Sequence, residues 1–492
     1  MKLFYQALAI FFLAICFNAA GTVALPLVDR DEPRFAEAAR EMRERGDWVV
    51  PYFNNEPRLA KPPLIYWCQA ASYGILGETD FAARFPSVLA AALTALLVFG
   101  FGRRLYDEKT GLWAAVVFTL SLHALALAKA ATADMAMIFF FTAASWAGWE
   151  LIQGSKGSDP SGTQPVGCQR GLTPWWWVFY LSLALGFLTK GPVAWIPLGA
   201  VALFARLAGV QNVRQTMRFE IGIPLALFVI GLWAVPALLQ TNGEYFTVGI
   251  GKHVLGRSVE AMEGHGGRGL LSYALTLPFY FITVFPSFFP WSAFLPALFS
   301  HLRRPENRGA REIYLLAGIL LTFFIFTFAA TKLPHYTLPA FPLLAVLSAG
   351  IYFKTGGSEK LLRVGAAGMT LLVLAVSFIL FPIATRAFPA ADLARQSSPW
   401  LKPEMEFASV EFNEPSLVWT FRKYVRGWHR ALSPEDAASF MQKPGSRFCI
   451  LPSPLAEQVF PKMDPEWKRF RSQGINLAKG KKVDLAIVVK TG

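Results

Sequence analysis

The sequence predicts a mainly α-helical, polytopic membrane protein that carries a small α/β domain outside the bilayer. Three observations predict it. Of 492 residues, 54% are hydrophobic and 16% charged, a balance displaced from soluble averages toward the membrane class. Apolar runs close to the length that crosses a bilayer recur through residues 1–385. From about residue 386 the chain turns to mixed polar sequence in which strand-like and helical stretches alternate.

Residues 3–27 form the first apolar run. It is long, has no convincing cleavage site and is followed by more runs, so it reads as a retained span and not as a secretory signal. Further runs lie near 83–102, 111–128, 133–152, 174–189, 191–208, 220–239, 271–300, 313–330, 336–353 and 363–385. The expectation is about eleven spans. Gly191-Pro192 and the Pro278 to Pro296 stretch interrupt two of them, as neighbouring helices allow by covering the exposed backbone.

The densest charged segment, Asp31 to Pro63, follows the first span directly. Phe35, Ala38, Ala39 and Met42 recur at helical spacing, while Arg34, Glu37, Arg40, Glu41 and Glu44 fall elsewhere. That pattern predicts an amphipathic helix lying at a membrane surface, with Asp31 at its start, Pro33 in its first turn and Gly46 at its end.

Short basic loops set the orientation. Arg103, Arg104 and Lys109, then Arg214 and Arg218, then Arg303, Arg304, Arg308 and Arg311, then Lys354, Lys360 and Arg363 all fall on the cytoplasmic side when the N-terminus is inside. The Gly/Ser/Pro-rich 153–173 stretch reads as a cytoplasmic insertion. Residues 31–63, the Ala130 to Asp134 turn, Thr189-Lys190-Gly191, the 240–270 loop, the Thr331 to Tyr336 turn and residues 386–492 then share the opposite face. In the last of these, Ser416 to Phe421, Arg447 to Leu451 and Val483 to Val489 read as strands, and Pro434 to Gln442 and Leu455 to Phe460 as helices. The division is a transmembrane module over 1–385, with outer loops 31–63 and 240–270, and an α/β domain over 386–492.

Lys+Arg exceed Asp+Glu by 47 to 33. The basic residues sit in short clusters between apolar runs, a distribution that suits anionic lipid headgroups and phosphates and not nucleic acid. Cys16, Cys68, Cys168 and Cys449 have neither metal-ligand spacing nor the density of a disulfide framework. There is no P-loop, no dinucleotide-binding glycine fingerprint and no Gly-x-Ser-x-Gly elbow.

Several outer-face residues are suited to chemistry. Asp134 is an ionisable group at the end of an apolar span, which calls for a polar cavity, or else caps the helix it opens. Lys61, followed by two prolines, is a positioned cation of the kind that holds a phosphate, or one that snorkels to a headgroup. The 240–270 loop holds Lys252, His253, Arg257, Glu260, Glu263, His265 and Arg268 among glycines, where an arginine can clamp phosphate oxygens. His253 and His265 are the candidate metal ligands there, but their spacing fits no firm template. Lys332, His335 and Tyr336 close one span boundary and double as ordinary interface anchors.

Taken together, Asp31-Glu-Pro-Arg-Phe-Ala-Glu-Ala-Ala-Arg-Glu-Met42, Gly46-Asp-Trp-Val-Val-Pro51, Lys61-Pro-Pro-Leu-Ile-Tyr-Trp67, Ala131-Thr-Ala-Asp-Met135 and Lys332-Leu-Pro-His-Tyr-Thr-Leu-Pro339 resemble the bacterial aminoarabinose lipid A transferases and their protein O-mannosyltransferase-like relatives of the GT-C type. The resemblance covers nearly all of the membrane region. It implies an ArnT-like, inverting glycosyltransferase of the bacterial inner membrane. Such an enzyme moves a sugar from a polyprenyl (undecaprenyl) phosphate carrier to a periplasmic acceptor such as lipid A or another envelope glycan. It also implies roles by position: Asp31 as general base, Asp134 as the second acid, and Lys61, Arg257 and Tyr336 at the carrier phosphate, with His253, His265 and Lys332 as secondary candidates. Where the aminoarabinose transferases place a metal-associated glutamate before Lys-Pro-Pro, this chain has Ala60, so the expectation is no metal and no other cofactor. Membrane lipids, the lipid-linked sugar and a lipid or protein acceptor are the expected partners. A protein O-glycosyltransferase is the alternative within the class, and a lipid-linked sugar flippase the alternative outside it.

Overall fold

A computed structural model describes residues 1–154, 173–256 and 270–491. Among them, seven helices are long and apolar enough to cross a membrane, rising to nine if each of two bent pairs counts as one span. The bent pairs are Glu108–Thr119 with Leu122–Ala128, at 67°, and Leu271–Ser287 with Trp291–Leu302, at 116°. The second bend falls in the proline-interrupted run, where Pro286 and Pro290 remove backbone donors. Two further runs expected to span, 174–189 and 191–208, form the Pro174–Lys190 and Pro192–Leu207 helices, both below the roughly 20 residues a perpendicular crossing takes. Most of the 153–173 insertion lies outside the described residues.

By its internal contacts the chain forms two compact units. The first comprises Met1–Ala19, Leu59–Ile65 and Pro86–Leu372, and the second Ala20–Arg58, Tyr66–Phe85 and Val373–Gly492. The first outer segment thus groups largely with the C-terminal sequence, a division that linear composition does not show.

In the first unit, helices meet through small residues. Gly111 faces Phe99 so closely that an added Cβ would sit 2.5 Å from the Phe99 carbonyl oxygen. Polar groups are paired where the packing buries them. Glu312, 1% exposed, accepts from Arg311 Nε at 3.1 Å and from the Tyr106 hydroxyl at 3.4 Å, tying two of the basic loops together. Lys129 donates to the Phe17 and Asn18 carbonyls at the C-terminus of the Lys2–Ala19 helix, where a cation is favoured.

The second unit is built on a five-stranded sheet. Its strands are β3 (Glu406–Val410), β4 (His429–Leu432), β5 (Arg447–Pro452), β6 (Lys468–Asn476) and β7 (Lys481–Lys490), after a short hairpin of β1 (Tyr52–Phe53) and β2 (Glu56–Pro57). The order is β4-β3-β5-β7-β6, with β3 parallel to β4 and β5 and the β5-β7-β6 pairs antiparallel. Apolar side chains cover both faces, Phe407, Phe448 and Ile487 on one and Val410, Cys449 and Val488 on the other. The strands expected at 447–451 and 483–489 and the helix at 434–442 are present, and Ser453–Val459 is the helix expected near 455–460. Residues 416–421, expected as a strand, are helical instead: Pro415 opens the Pro415–Phe421 helix, which is buried nearly all round. A short apolar run carries no periodicity that separates the two states.

The Asp31–Arg45 helix starts and stops where the sequence places it, with Pro33 in its first turn and Gly46 at φ 69° closing it. Several of its charged residues are buried along with its apolar ones, so it is not the one-sided amphipathic helix the pattern predicts. Glu32, Glu37, Arg40 and Glu41 are all buried, each against a partner from a distant part of the chain or from the helix itself. Arg84 grips Glu32 with two bonds of 2.9 and 2.7 Å and also donates to the Thr22, Leu25 and Pro26 carbonyls, fixing the approach to the helix. Arg40 donates to Glu37 and to the Trp419 carbonyl at 2.8 Å, with its guanidinium 4.2 Å from the Trp419 ring centre. Glu41 accepts from the backbone N–H groups of Asn54 and Asn55, whose positive φ values make the two-residue turn between β1 and β2. The Asn54 amide in turn pairs both ways with the backbone of His429 on the edge strand β4.

Candidate functional site

The first unit contains a cavity of about 760 Å³. Its walls are chiefly apolar, from Phe187, Ile196, Trp233, Phe246, Ile250 and Phe328, and its polar groups are few: Lys61, Lys190, Tyr245, His253, His335 and Tyr336.

Lys61 lines this cavity from a bend between the Leu59-Ala60 turn and the helix that starts at Leu64, stiffened by Pro62 and Pro63. The Tyr245 hydroxyl donates to the Lys61 carbonyl. Close by, the π-helical turn Phe246–Gly256 approaches so nearly that an added Cβ on Gly249 would lie 3.1 Å from the Leu59 carbonyl oxygen. The backbone that carries the cation is therefore held from two sides.

Lys190 is the last residue of the Pro174–Lys190 helix, which Gly191 ends at φ 80°. Asp134 is the first residue of the Asp134–Gly154 helix. Each charge sits at the helix end that favours it, and the two side chains form an ion pair. Asp134 is 7% exposed, so the pair is largely removed from water. The Lys190 ammonium also lies 5.6 Å from the centre of the Tyr336 ring. Tyr336 is flanked by Phe326 at 5.1 Å and by His335 edge-on at 5.1 Å. The His335 ring meets that of His123 at 6.3 Å, and His123 Nδ1 is 2.9 Å from the Ser287 hydroxyl.

Of the residues singled out from sequence, Lys61, His253 and Tyr336 thus line one cavity, and Asp134 is tied to it through Lys190. Lys332 does different work: its ammonium donates to the Phe326 and Thr327 carbonyls at the end of the Ala310–Phe328 helix. Asp31 belongs to the second unit, exposed at the start of its helix. Arg257 and His265 lie outside the described residues. Ala60 presents only a methyl group to the cavity, and among the described residues no group of three or more His, Cys, Asp and Glu side chains could hold a metal ion. Lys190 carried a signal that a motif search passes over, an ammonium at the C-terminal end of an otherwise apolar helix. Two ammonium groups set in apolar walls suit an amphiphile with an anionic head, because charge–charge attraction strengthens where water is excluded.

Residues 60–160 match the family described as dolichyl-phosphate-mannose-protein mannosyltransferase. The chain is 29% identical over 380 residues to the undecaprenyl phosphate-α-4-amino-4-deoxy-L-arabinose arabinosyl transferase of Edwardsiella ictaluri, covering 75% of this chain and 65% of that one. It is 28% identical to the corresponding transferase 2 of Sodalis glossinidius, covering 72% and 61%. The chain therefore spans less than two thirds of the length of these relatives. Among solved structures, ArnT from Cupriavidus metallidurans bound to undecaprenyl phosphate superposes with a TM-score of 0.72 at 17% identity, over 98% of this chain and 96% of that one. The helices make a polytopic membrane protein whose fold is that of the Cupriavidus structure, with a small sheet domain at its C-terminus. Within that class the chain is ArnT-like in sequence and fold.

Proposed function

We propose that the protein is a glycosyltransferase of the bacterial inner membrane. In this reading it takes a sugar from a polyprenyl phosphate such as undecaprenyl phosphate and places it on an acceptor at the periplasmic face. The observation that carries the reading is the joint presence of Lys61 and Lys190 in one mostly apolar cavity. Apolar walls suit a prenyl chain and the two cations its phosphate. The names of the relatives, and the undecaprenyl phosphate bound to the Cupriavidus protein, support it.

The reaction is a displacement at the anomeric carbon. The acceptor hydroxyl oxygen forms the new bond as the bond to the carrier phosphate breaks, and the electron pair leaves on the phosphate oxygen. Lys61 and Lys190 stabilise that growing charge, typically the largest catalytic contribution. Tyr336 packs against the Lys190 ammonium, and Asp134 holds it in place. Asp31 is assigned as the base that takes the acceptor proton on the strength of its motif position, and the stereochemical outcome is inversion. A phosphate leaves without an acid to protonate it, and the scheme calls for no metal.

The family match over residues 60–160 favours a second acceptor class, a protein hydroxyl. Purified protein given undecaprenyl-phosphate-linked sugars and either lipid A or a periplasmic protein extract separates the two by the mass of the product. Transfer that disappears in Lys61→Ala and Asp31→Asn is the expected result. Unaltered turnover in both, or movement of the lipid-linked sugar across vesicles with no covalent product, overturns the proposal.

A further inference from the structure

The β6–β7 hairpin of the second unit carries a cluster of charge that the transfer scheme leaves unused. Its turn, Leu477-Ala-Lys-Gly-Lys-Lys482, holds Lys479, Lys481 and Lys482, with Gly480 at φ 64° letting the chain reverse. Ile475 and Leu477, both exposed, precede the lysines. No acidic residue lies between Arg471 and Val483.

The carboxylates close by are already committed. Glu414 accepts from Arg30 Nε at 3.2 Å and from the Asn476 side chain at 2.9 Å, which leaves Lys479 a contact of 3.9 Å with it. Asp484 accepts from Arg471 and from Gln473. Lys481 and Lys482 are exposed and form no ion pair among the described residues.

The level of the hairpin is set by the end of the last span. That span, Glu359–Ala387, turns Phe378, Ile379, Leu380 and Ile383 outward, as lipid-facing side chains. The Thr385–Ala387 turn at its exit packs against β6, and an added Cβ on Gly474 would lie 2.7 Å from the Ala387 carbonyl oxygen. From Ile383 to Ala387 the helix rises about 6–8 Å. A headgroup layer is about 5–8 Å deep, so Gly474 sits at its height. Ile475 and Leu477 stay there, because they line a cavity of about 240 Å³ together with Phe388 and Pro389, the first residues past the span. Two exposed apolar side chains followed by three ammonium groups suit an interface in which the former enter between headgroups and the latter meet their phosphates.

We propose that the β6–β7 hairpin is a docking surface for anionic phospholipid headgroups of the bilayer that holds the last span. Charge complementarity and continuity with the lipid-facing end of that span select this occupant. The surface is independent of the transferase reading, because it calls for no donor, acceptor or turnover.

Hydrogen–deuterium exchange on the full chain tests it, in nanodiscs of phosphatidylcholine alone and of an equal mixture with phosphatidylglycerol. Peptides covering residues 475–482 are expected to exchange about tenfold more slowly in the mixture and to lose that protection at high salt. The double variant Lys481→Gln with Lys482→Gln is expected to abolish the difference between the two bilayers. Lys443→Gln, before the opposite end of the sheet where Arg447 pairs with Lys490, is expected to keep it. Equal exchange in the two bilayers, or a difference that the double variant retains, overturns the proposal. Protection that appears only when lipid A replaces phosphatidylglycerol also overturns it, since the occupant is then a lipid A phosphate and not the phospholipid surface.

Discussion

The Lys190 ammonium and the Asp134 carboxylate meet as an ion pair between the end of one helix and the start of another, beside the ring of Tyr336. The pairing determines what each residue can do. Asp134 is committed to a cation, so under the proposed transfer it would fix Lys190 and not exchange protons. Asp134→Asn is expected to lower kcat by about 100-fold through misplacement of Lys190, while the donor KM changes less. Removing either partner alone leaves a buried charge and costs about 3–5 kcal/mol. The double variant Asp134→Asn with Lys190→Met is therefore expected to unfold at a higher temperature than Lys190→Met alone, with transfer still absent. A double variant no more stable than the single one denies the coupling.

Lys61 differs from Lys190 in having its backbone held by Tyr245 and its neighbouring prolines. Lys61→Ala is expected to reduce transfer by 10²–10³-fold, the size of effect found when one preorganised stabiliser of a leaving group is lost. Tyr245→Phe removes the hydrogen bond to the Lys61 carbonyl and keeps the ring that packs on Trp233 at 5.0 Å. It is expected to give a partial loss, about tenfold, readable in single-turnover kinetics with a lipid-linked sugar.

The Glu32–Arg84 pair shows where the sequence is legible and where it is not. The limits of the Asp31–Arg45 helix follow from Pro33 and Gly46, local signals that act through the backbone. Its environment does not follow. Glu32, Glu37 and Arg40 look like a solvated face because their partners, Arg84, Arg422 and Trp419, are 52 to 385 positions away in sequence and belong to no shared pattern. The same holds for the site: Lys61 and Asp134 stand out as ionisable groups at the borders of apolar runs, whereas the link through Lys190 exists only once two helices are side by side. Arg84→Lys keeps the charge but loses the fork that serves both Glu32 and three backbone carbonyls. It is expected to destabilise the second unit by about 2–3 kcal/mol, and Arg84→Met by more, measurable by thermal unfolding. Equal stability of Arg84→Lys and the parent protein would show that charge alone suffices.

His429 gives the second unit a dependence on acid. Burial holds its imidazole neutral down to about 4, against 6.5 in an open chain, and its Nε2 lies 2.6 Å from the Ser409 hydroxyl, which also donates to Asn413 at 2.6 Å. The folded form therefore binds the proton less readily than the unfolded one. Its contribution is complete above pH 6.5 and is lost as pH falls toward 4, by up to about 3 kcal/mol and by less to the extent that the ring is partly exposed. Asp29 acts in the opposite sense. Burial pushes its carboxyl up to about 6, so the stability it confers is present below 3.8 and is lost as pH rises through 6. The two windows overlap, and total stability between pH 4 and 6 is flatter than either group alone gives. The informative quantity is the difference between the parent protein and His429→Asn, followed by sheet-domain unfolding across that range. The variant is expected to lose the acid-sensitive component, so that the gap between the two proteins narrows as pH falls from 6.5 to 4. A gap that stays constant across the range excludes His429 as its source.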